Sequence, residues 1–354
     1  MGGRHGAPRP NWVSKLSKLI GGSSVSAPHA ARDEAAFGAP RTYDLWGKAV
    51  NVRDALPRSL GGIDPSSSTG AREAFLTLSE LYAALTESPH VSTCDHHVQK
   101  EASYDAVLRQ FAASGLLIEE FRCDADSFER YLEKSLTVYE ASNDYLRNQG
   151  GLAGYFPQKA FEHWISAEYL QWSPRDRVLD FAAWISPATE VLSRHRPADF
   201  YKHDITFETD LDARRVSGFS DAVESPSDYF DAVMAHCAID NFEQDYDTRF
   251  FLEARRILRP GGRLLVTPLH MSEQFENLVA IGGRGITLDA GAKLVMGAPG
   301  GLRFARLYDV AALRGRVLEP AVGLEFRIVH VTGLPLRKYP TTCTNRFMLV
   351  AVKR

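Results

Sequence analysis

Cysteine is scarce in this chain. There are four in 354 residues, Cys94, Cys123, Cys237 and Cys343, with no C-x-x-C pair among them. That excludes a disulfide scaffold, and the pattern fits a reducing compartment. Positive charge is not in excess either. Lys and Arg number 41 against 44 Asp and Glu, a net charge of −3, so the basic face that nucleic-acid binding needs is missing. No apolar run approaches the roughly 18 residues of a membrane span. The opening M-G-G-R-H-G lacks the apolar core of a secretory signal. Gly6 stands where a myristoylation signal takes Ser or Thr. The expectation is a cytoplasmic protein. Glycine is lacking at one telling place. The turn D-F-A-A-W-I-S at Asp180–Ser186 has no G-x-G-x-x-G, which argues against a nicotinamide-dependent oxidoreductase.

What is present divides into three stretches. Residues 1–70 are rich in Gly, Pro, Ser and Ala, too poor in apolar surface to order a whole segment, and are expected to be a flexible tail. Within it Trp12, Val13, Leu16, Leu19 and Ile20 share one face of a short helix, which would dock on the body or form transiently. Residues 71–172 are expected to be a helical accessory or lid region. Ala71–Ser88 carries a stripe of Phe75, Leu78, Leu81, Tyr82 and Leu85, and Tyr104–Phe111 gives a second helix ended by Gly115. Leu116–Phe121 suits a strand. Two helices and a strand would allow a winged-helix-like module, but an ordinary accessory region is the simpler account. Cys94, His96 and His97 are metal-ligating types with no second ligand pair at a known spacing, so they read as a loop. Asp126 with Glu129 gives a capping-box pattern for a helix running to Leu146. Phe156–Leu170 gives another helix, leading into the first strand of the last stretch.

Residues 173–354 alternate strand and helix. Val178–Pro187, V-L-D-F-A-A-W-I-S-P, is an apolar strand, a turn of small residues and a helix start, with Pro187 suited to that start because it lacks an N–H. Tyr229–Ile239 is an apolar run of the kind found in strands buried on both faces. Phe250, Phe251, Ala254, Ile257 and Leu258 recur at helical spacing. The R-P-G-G that follows stops the helix, and Arg263–Leu269 is the next strand. This order predicts a right-handed βαβ crossover. Gly-rich Ser272–Arg306 reads as a long loop, of functional size. Asp309–Leu318 reads as a helix, and Leu324–Val331 and Arg346–Val352 as two final strands.

Three segments resemble the class I S-adenosylmethionine (SAM)-dependent methyltransferases: Val178–Ala183, Phe230–Phe242 and, most specifically, Phe251–Leu264, F-L-E-A-R-R-I-L-R-P-G-G-R-L. The resemblance covers Asp176–Met271. It implies an α/β fold with a Rossmann-like sheet, strands in the order 3-2-1-4-5-7-6 and the last one antiparallel, beside the N-terminal helical accessory region. It departs in one respect, because Ala182, Ala183 and Trp184 stand where the family usually has glycines. The small-residue turn followed by Ser-Pro is similar to that of a glycine-poor subgroup associated with glycan or natural-product pathways.

The resemblance implies SAM as cofactor and assigns its contacts. Asp180 matches the family's first acid, and Ala182 lies in the cofactor turn. Ser186 opens a helix whose N-terminus favours the cofactor's carboxylate. Asp204 matches the acid that binds the ribose hydroxyls, and Asp221, in G-F-S-D-A, the residue at the adenine amino group. Asp204 and Asp221 could each equally cap a turn. Tyr145 and Tyr155 are loose candidates for cofactor contact, with core packing the simpler role. Methyl transfer is an in-line displacement, helped mainly by proximity and orientation; a hydroxyl acceptor also needs a base. His236 and Asp240 at the end of the fourth strand, and His270 at the end of the fifth, are the candidates. His236 comes first, against a purely structural role. The N-P-P-aromatic motif of amine- and base-modifying members is absent, since Asp240-Asn241-Phe242 stands there. The expectation is O-methylation of a small-molecule or glycan-precursor acceptor, with no nucleic-acid partner, no metal and no membrane span. The competing reading, motivated by the missing glycines, is a non-catalytic binding or scaffold protein on the same fold.

Overall fold

The computed structural model describes residues 42–45, 48–51, 101–142, 156–280, 287–297 and 304–354. The expected helices at Trp12–Ile20 and Ala71–Ser88, the Cys94–His97 cluster, the stretch up to Leu146, and Tyr145 and Tyr155 lie outside these residues.

In chain order the elements are β1 (Thr42–Leu45), β2 (Lys48–Asn51), α1 (Glu101–Ser114), β3 (Ile118–Arg122), α2 (Ala125–Ala141), α3 (Phe156–Leu170), β4 (Arg177–Phe181), α4 (Ala188–His195), β5 (Asp199–His203), β6 (Arg215–Val216), β7 (Gly218–Phe219), β8 (Ala222–Val223), β9 (Phe230–His236), α5 (Tyr246–Ile257), β10 (Leu258–Thr267), β11 (Glu276–Ala280), β12 (Lys293–Gly297), β13 (Phe304–Leu307), α6 (Val310–Leu313), β14 (Leu324–Thr332) and β15 (Phe347–Lys353). One eight-stranded sheet, in the order β3-β14-β15-β10-β9-β4-β5-β6, dominates. Counted from β4, this is the expected 3-2-1-4-5-7-6 order, with β3 added beyond β14. β15 runs antiparallel to both β10 and β14, and the other pairings are parallel.

Burial on both faces explains why the central strands are apolar throughout. Leu179, Val233, Leu264 and Leu349 pack on one side with α1, α5 and α6. Val178, Met234, Leu265 and Met348 pack on the other with α2, α3 and α4. The side chains alternate faces because the strand repeat is two residues.

Four local expectations need correction. The cap of α2 is Asp124, whose Oδ1 accepts the Ser127 N–H at 3.1 Å, rather than Asp126. Pro187 precedes α4 as its cap residue instead of occupying its first turn. R-P-G-G does not separate helix from strand: Leu258 already pairs with Phe230, and the four residues form an irregularity inside β10. Gly261 there takes φ +77°, a conformation that costs glycine little. Finally, Ser272–Arg306 is not a bare loop. β11 pairs with β12 in parallel and with β13 antiparallel to make a three-stranded sheet.

Candidate active site

β4 lies in the middle of the large sheet, so its carboxyl end opens where ligands bind in such folds. The turn after it has the backbone of a glycine turn made without glycine. Ala182 sits at φ +57° and Trp184 at φ +41°, in the left-handed region that side chains disfavour. Neighbouring elements hold it there. The Ala182 N–H donates to His203 Nδ1 at 3.3 Å, the Ala183 N–H to the His203 carbonyl at 2.8 Å and the Trp184 N–H to Asp204 Oδ2 at 3.2 Å. Burial pushes the His203 imidazole down to about 4, so the ring is neutral at physiological pH. One nitrogen then accepts from Ala182 while the other, Nε2, donates to the Gly218 carbonyl at 3.1 Å. The ring also stacks on Phe181, 4.2 Å between centroids. Ser186 closes the turn, its Oγ accepting the Ala188 N–H at 3.2 Å.

The expected cofactor acids fare differently. Asp180 is buried. Its Oδ1 lies 3.4 Å from His236 Nδ1, and its Oδ2 has no hydrogen-bond partner among the described residues. Asp204 is more committed: Oδ1 accepts from the N–H and hydroxyl of Thr206 at 2.9 and 2.7 Å, and Oδ2 holds Trp184. Asp221, at the turn between β7 and β8, pairs with Arg249 at 3.2 Å.

At the end of β9 the expected catalytic residues meet α3. His236 is bridged on both nitrogens, Nδ1 to Asp180 and Nε2 to Ser166 Oγ at 2.9 Å. The ring of His163 packs against it edge-on at 5.0 Å. His163 in turn reaches the Tyr139 hydroxyl at 2.7 Å; burial, with His236 nearby, drives its pKa well down. Cys237, at φ +45°, donates its thiol to Glu162 Oε1 at 3.2 Å, and burial keeps that thiol protonated by raising its pKa well above the usual value. Glu162 also accepts from Gln158 Nε2 at 2.7 Å and from Lys159 Nζ at 3.2 Å. His270 lies 3.7 Å from Asp240, both buried. Burial pushes the His270 imidazole down to about 4, so it is neutral near pH 7 and free of a proton at one nitrogen.

Sequence reasoning missed the inward polar face of α3. A signal existed: Gln158, Glu162 and Ser166 recur every four residues, one line on a helix, and all three are buried. It was hidden because α3 is buried nearly all round, which makes polar residues look incidental.

The inserted sheet is clamped beside this site. Arg306 on β13 is fully buried and pairs with Asp289 at 2.7 Å and Asp247 at 3.1 Å. It also donates to the carbonyls of Phe242 and Gln244 at 2.6 and 2.9 Å, just after the short 3₁₀ turn Ile239–Asn241 that carries Asp240. Arg316 and the Tyr308 hydroxyl, each 2.7 Å from Asp247, complete the cluster. Among the described residues no group of three or more His, Cys, Asp or Glu is placed to hold a metal ion, and no helix is long and apolar enough to cross a membrane.

The profile of the methyltransferase domain family matches residues 188–266, the span from α4 to the end of β10. That match and the Rossmann-like sheet order seen here agree with the resemblance of this stretch to the class I SAM-dependent methyltransferases. No curated protein matches the sequence. Among solved structures it is similar to a Burkholderia thailandensis 1,6-didemethyltoxoflavin-N1-methyltransferase with bound 1,6-didemethyltoxoflavin and S-adenosylhomocysteine, at 13% identity over 65% of this chain and 91% of that one, TM-score 0.38. It is also similar to a SAM-dependent methyltransferase from Mesorhizobium loti, at 15% identity over 55% and 98%, TM-score 0.36.

Proposed function

We propose that the chain transfers the methyl group of SAM to a hydroxyl of a small-molecule or glycan-precursor acceptor at the carboxyl ends of β4, β9 and β10. The observation that carries this reading is Asp180. A buried carboxylate oxygen without a partner is costly, and one at the end of the central strand suits the cationic amino-acid end of SAM. SAM when bound supplies an electrophilic methyl group. The chain's residues then bind and orient. Asp180 takes the ammonium end, and the turn at Ala182–Ser186 lies against the cofactor. Asp204 keeps one acceptor direction on Oδ2 for a ribose hydroxyl while anchoring Trp184. Asp221, tied to Arg249, serves the adenine end less directly.

His236 reads here as a positioning residue. With Asp180 on one nitrogen and Ser166 on the other, it holds the carboxylate in place. His270 is the better group for taking the acceptor's proton. It is neutral, and Asp240 beside it would stabilise the imidazolium that forms. A base with a pKa this low gives modest help, so proximity and orientation carry most of the rate.

The test is incubation with SAM labelled in the methyl group and a panel of phenols, catechols and sugar derivatives. Label in an ether methyl group supports the reading. Label only on nitrogen overturns the hydroxyl assignment. The alternative, a scaffold that does not catalyse, is favoured by the non-glycine turn and predicts no labelled product and no binding of S-adenosylhomocysteine (SAH) at millimolar concentration.

A further inference from the structure

A second buried oxygen lacks a partner near Asp180. Gln158 on α3 is fully buried, and its Oε1 meets no hydrogen-bond donor among the described residues. The amide orientation follows from its surroundings. Nε2 is 2.7 Å from Glu162 Oε1, and flipping the group would set two acceptors against each other at that distance. Glu162 is itself fixed by Lys159 and Cys237, so the carbonyl of Gln158 is held with its lone pairs free. The two side chains that carry these oxygens touch consecutive residues at the end of β9 through their other polar atoms. Gln158 Nε2 lies 3.5 Å from Cys237 Sγ, and Asp180 lies 3.4 Å from the ring of His236.

Two orphan acceptors, one of them a carboxylate oxygen, neither meeting a donor among the described residues, call for a ligand group bearing several N–H donors and positive charge. A carboxylate would be repelled, and a lone hydroxyl could satisfy only one of them. Building on the SAM reading above, we infer that Gln158 is a cofactor-binding residue that completes, with Asp180, the seat of the α-ammonium group. The first turn of α3 thus supplies a contact that the glycine-poor turn after β4 does not carry alone.

Calorimetric titration of the full chain with SAH and with 5′-methylthioadenosine, which lacks the amino-acid end, tests this. In Gln158→Met, SAH should bind about tenfold or more weakly, the expected loss of a hydrogen bond to a charged group. Methylthioadenosine should bind the variant as it binds the wild type, which also shows that the variant is folded. Equal SAH affinity in variant and wild type overturns the inference and leaves the SAM reading standing. So does equal weakening of both ligands, because it marks a loss of pocket shape. Failure of the wild type to bind SAH overturns both. If Gln158→Met does not fold, the wild type decides: an SAH analogue lacking the α-amino group should bind at least tenfold more weakly than SAH, and equal affinity overturns the inference.

Discussion

Ala182 and Trp184 pose the sharpest question at the scale of single residues. Both hold a backbone conformation that glycine takes at little cost, and the hydrogen bonds their N–H groups donate to His203 and Asp204 keep them there. Left-handed geometry costs an L-residue about 1–2 kcal/mol. Ala182→Gly should therefore stabilise the protein, by up to about 1 kcal/mol once the added freedom of the unfolded chain is subtracted. Denaturant melts measure this, and a destabilised variant would show that the methyl group of Ala182 packs usefully. Asp204→Ala removes the anchor of Trp184 and the proposed ribose contact together. SAH affinity should fall about tenfold or more, and unchanged affinity in a folded variant would take Asp204 out of the site. Asp180, Asp204 and His236 were legible from sequence as strand-end residues, because apolar runs place strand ends well. Their partners were not. Ser166, Gln158 and Glu162 come from a helix ahead of the first strand, and no local pattern says which face of a buried helix meets which strand.

At the scale of elements, the inserted sheet shows where reading by periodicity stops. β11, β12 and β13 are four or five residues long, with glycines between them, and β13 carries a fully buried arginine. A buried charge inside F-A-R-L argues against a core strand until its partners, Asp247 and Asp289, come in from elsewhere in the chain. The central strands posed no such difficulty, since Val178–Phe181 and Phe230–Ala235 carry their own apolar signal. The clamp gives a prediction. Arg306→Leu leaves two buried carboxylates short of a partner, and breaking a buried pair costs about 3–5 kcal/mol. Thermal melting should show a loss of that size. A variant as stable as the wild type would mean that Arg316 can satisfy both acids alone.

For the molecule as a whole, buried neutral histidines set the acid limit. His203 and His270 are pushed down to about 4, and His163 is also driven well down, each first of all by burial. In the unfolded chain these rings titrate near 6.5. Between about pH 6.5 and 4 the unfolded state therefore binds more protons than the folded one, and stability must fall as pH falls through that window. The loss should be on the order of a few kcal/mol, read as a drop in melting temperature from pH 7 to pH 4.5. A flat profile would mean that the three rings open to solvent before the fold is lost.

The carboxyl ends of β4, β5 and β9 are the proposed seat of the methyl donor. Hydrogen exchange of the full chain with and without saturating SAH tests it most directly. Exchange should slow only at residues 180–188, 203–206 and 236–241, together with the first turns of α3. Unchanged exchange in these segments, or protection confined to another part of the molecule, would contradict it.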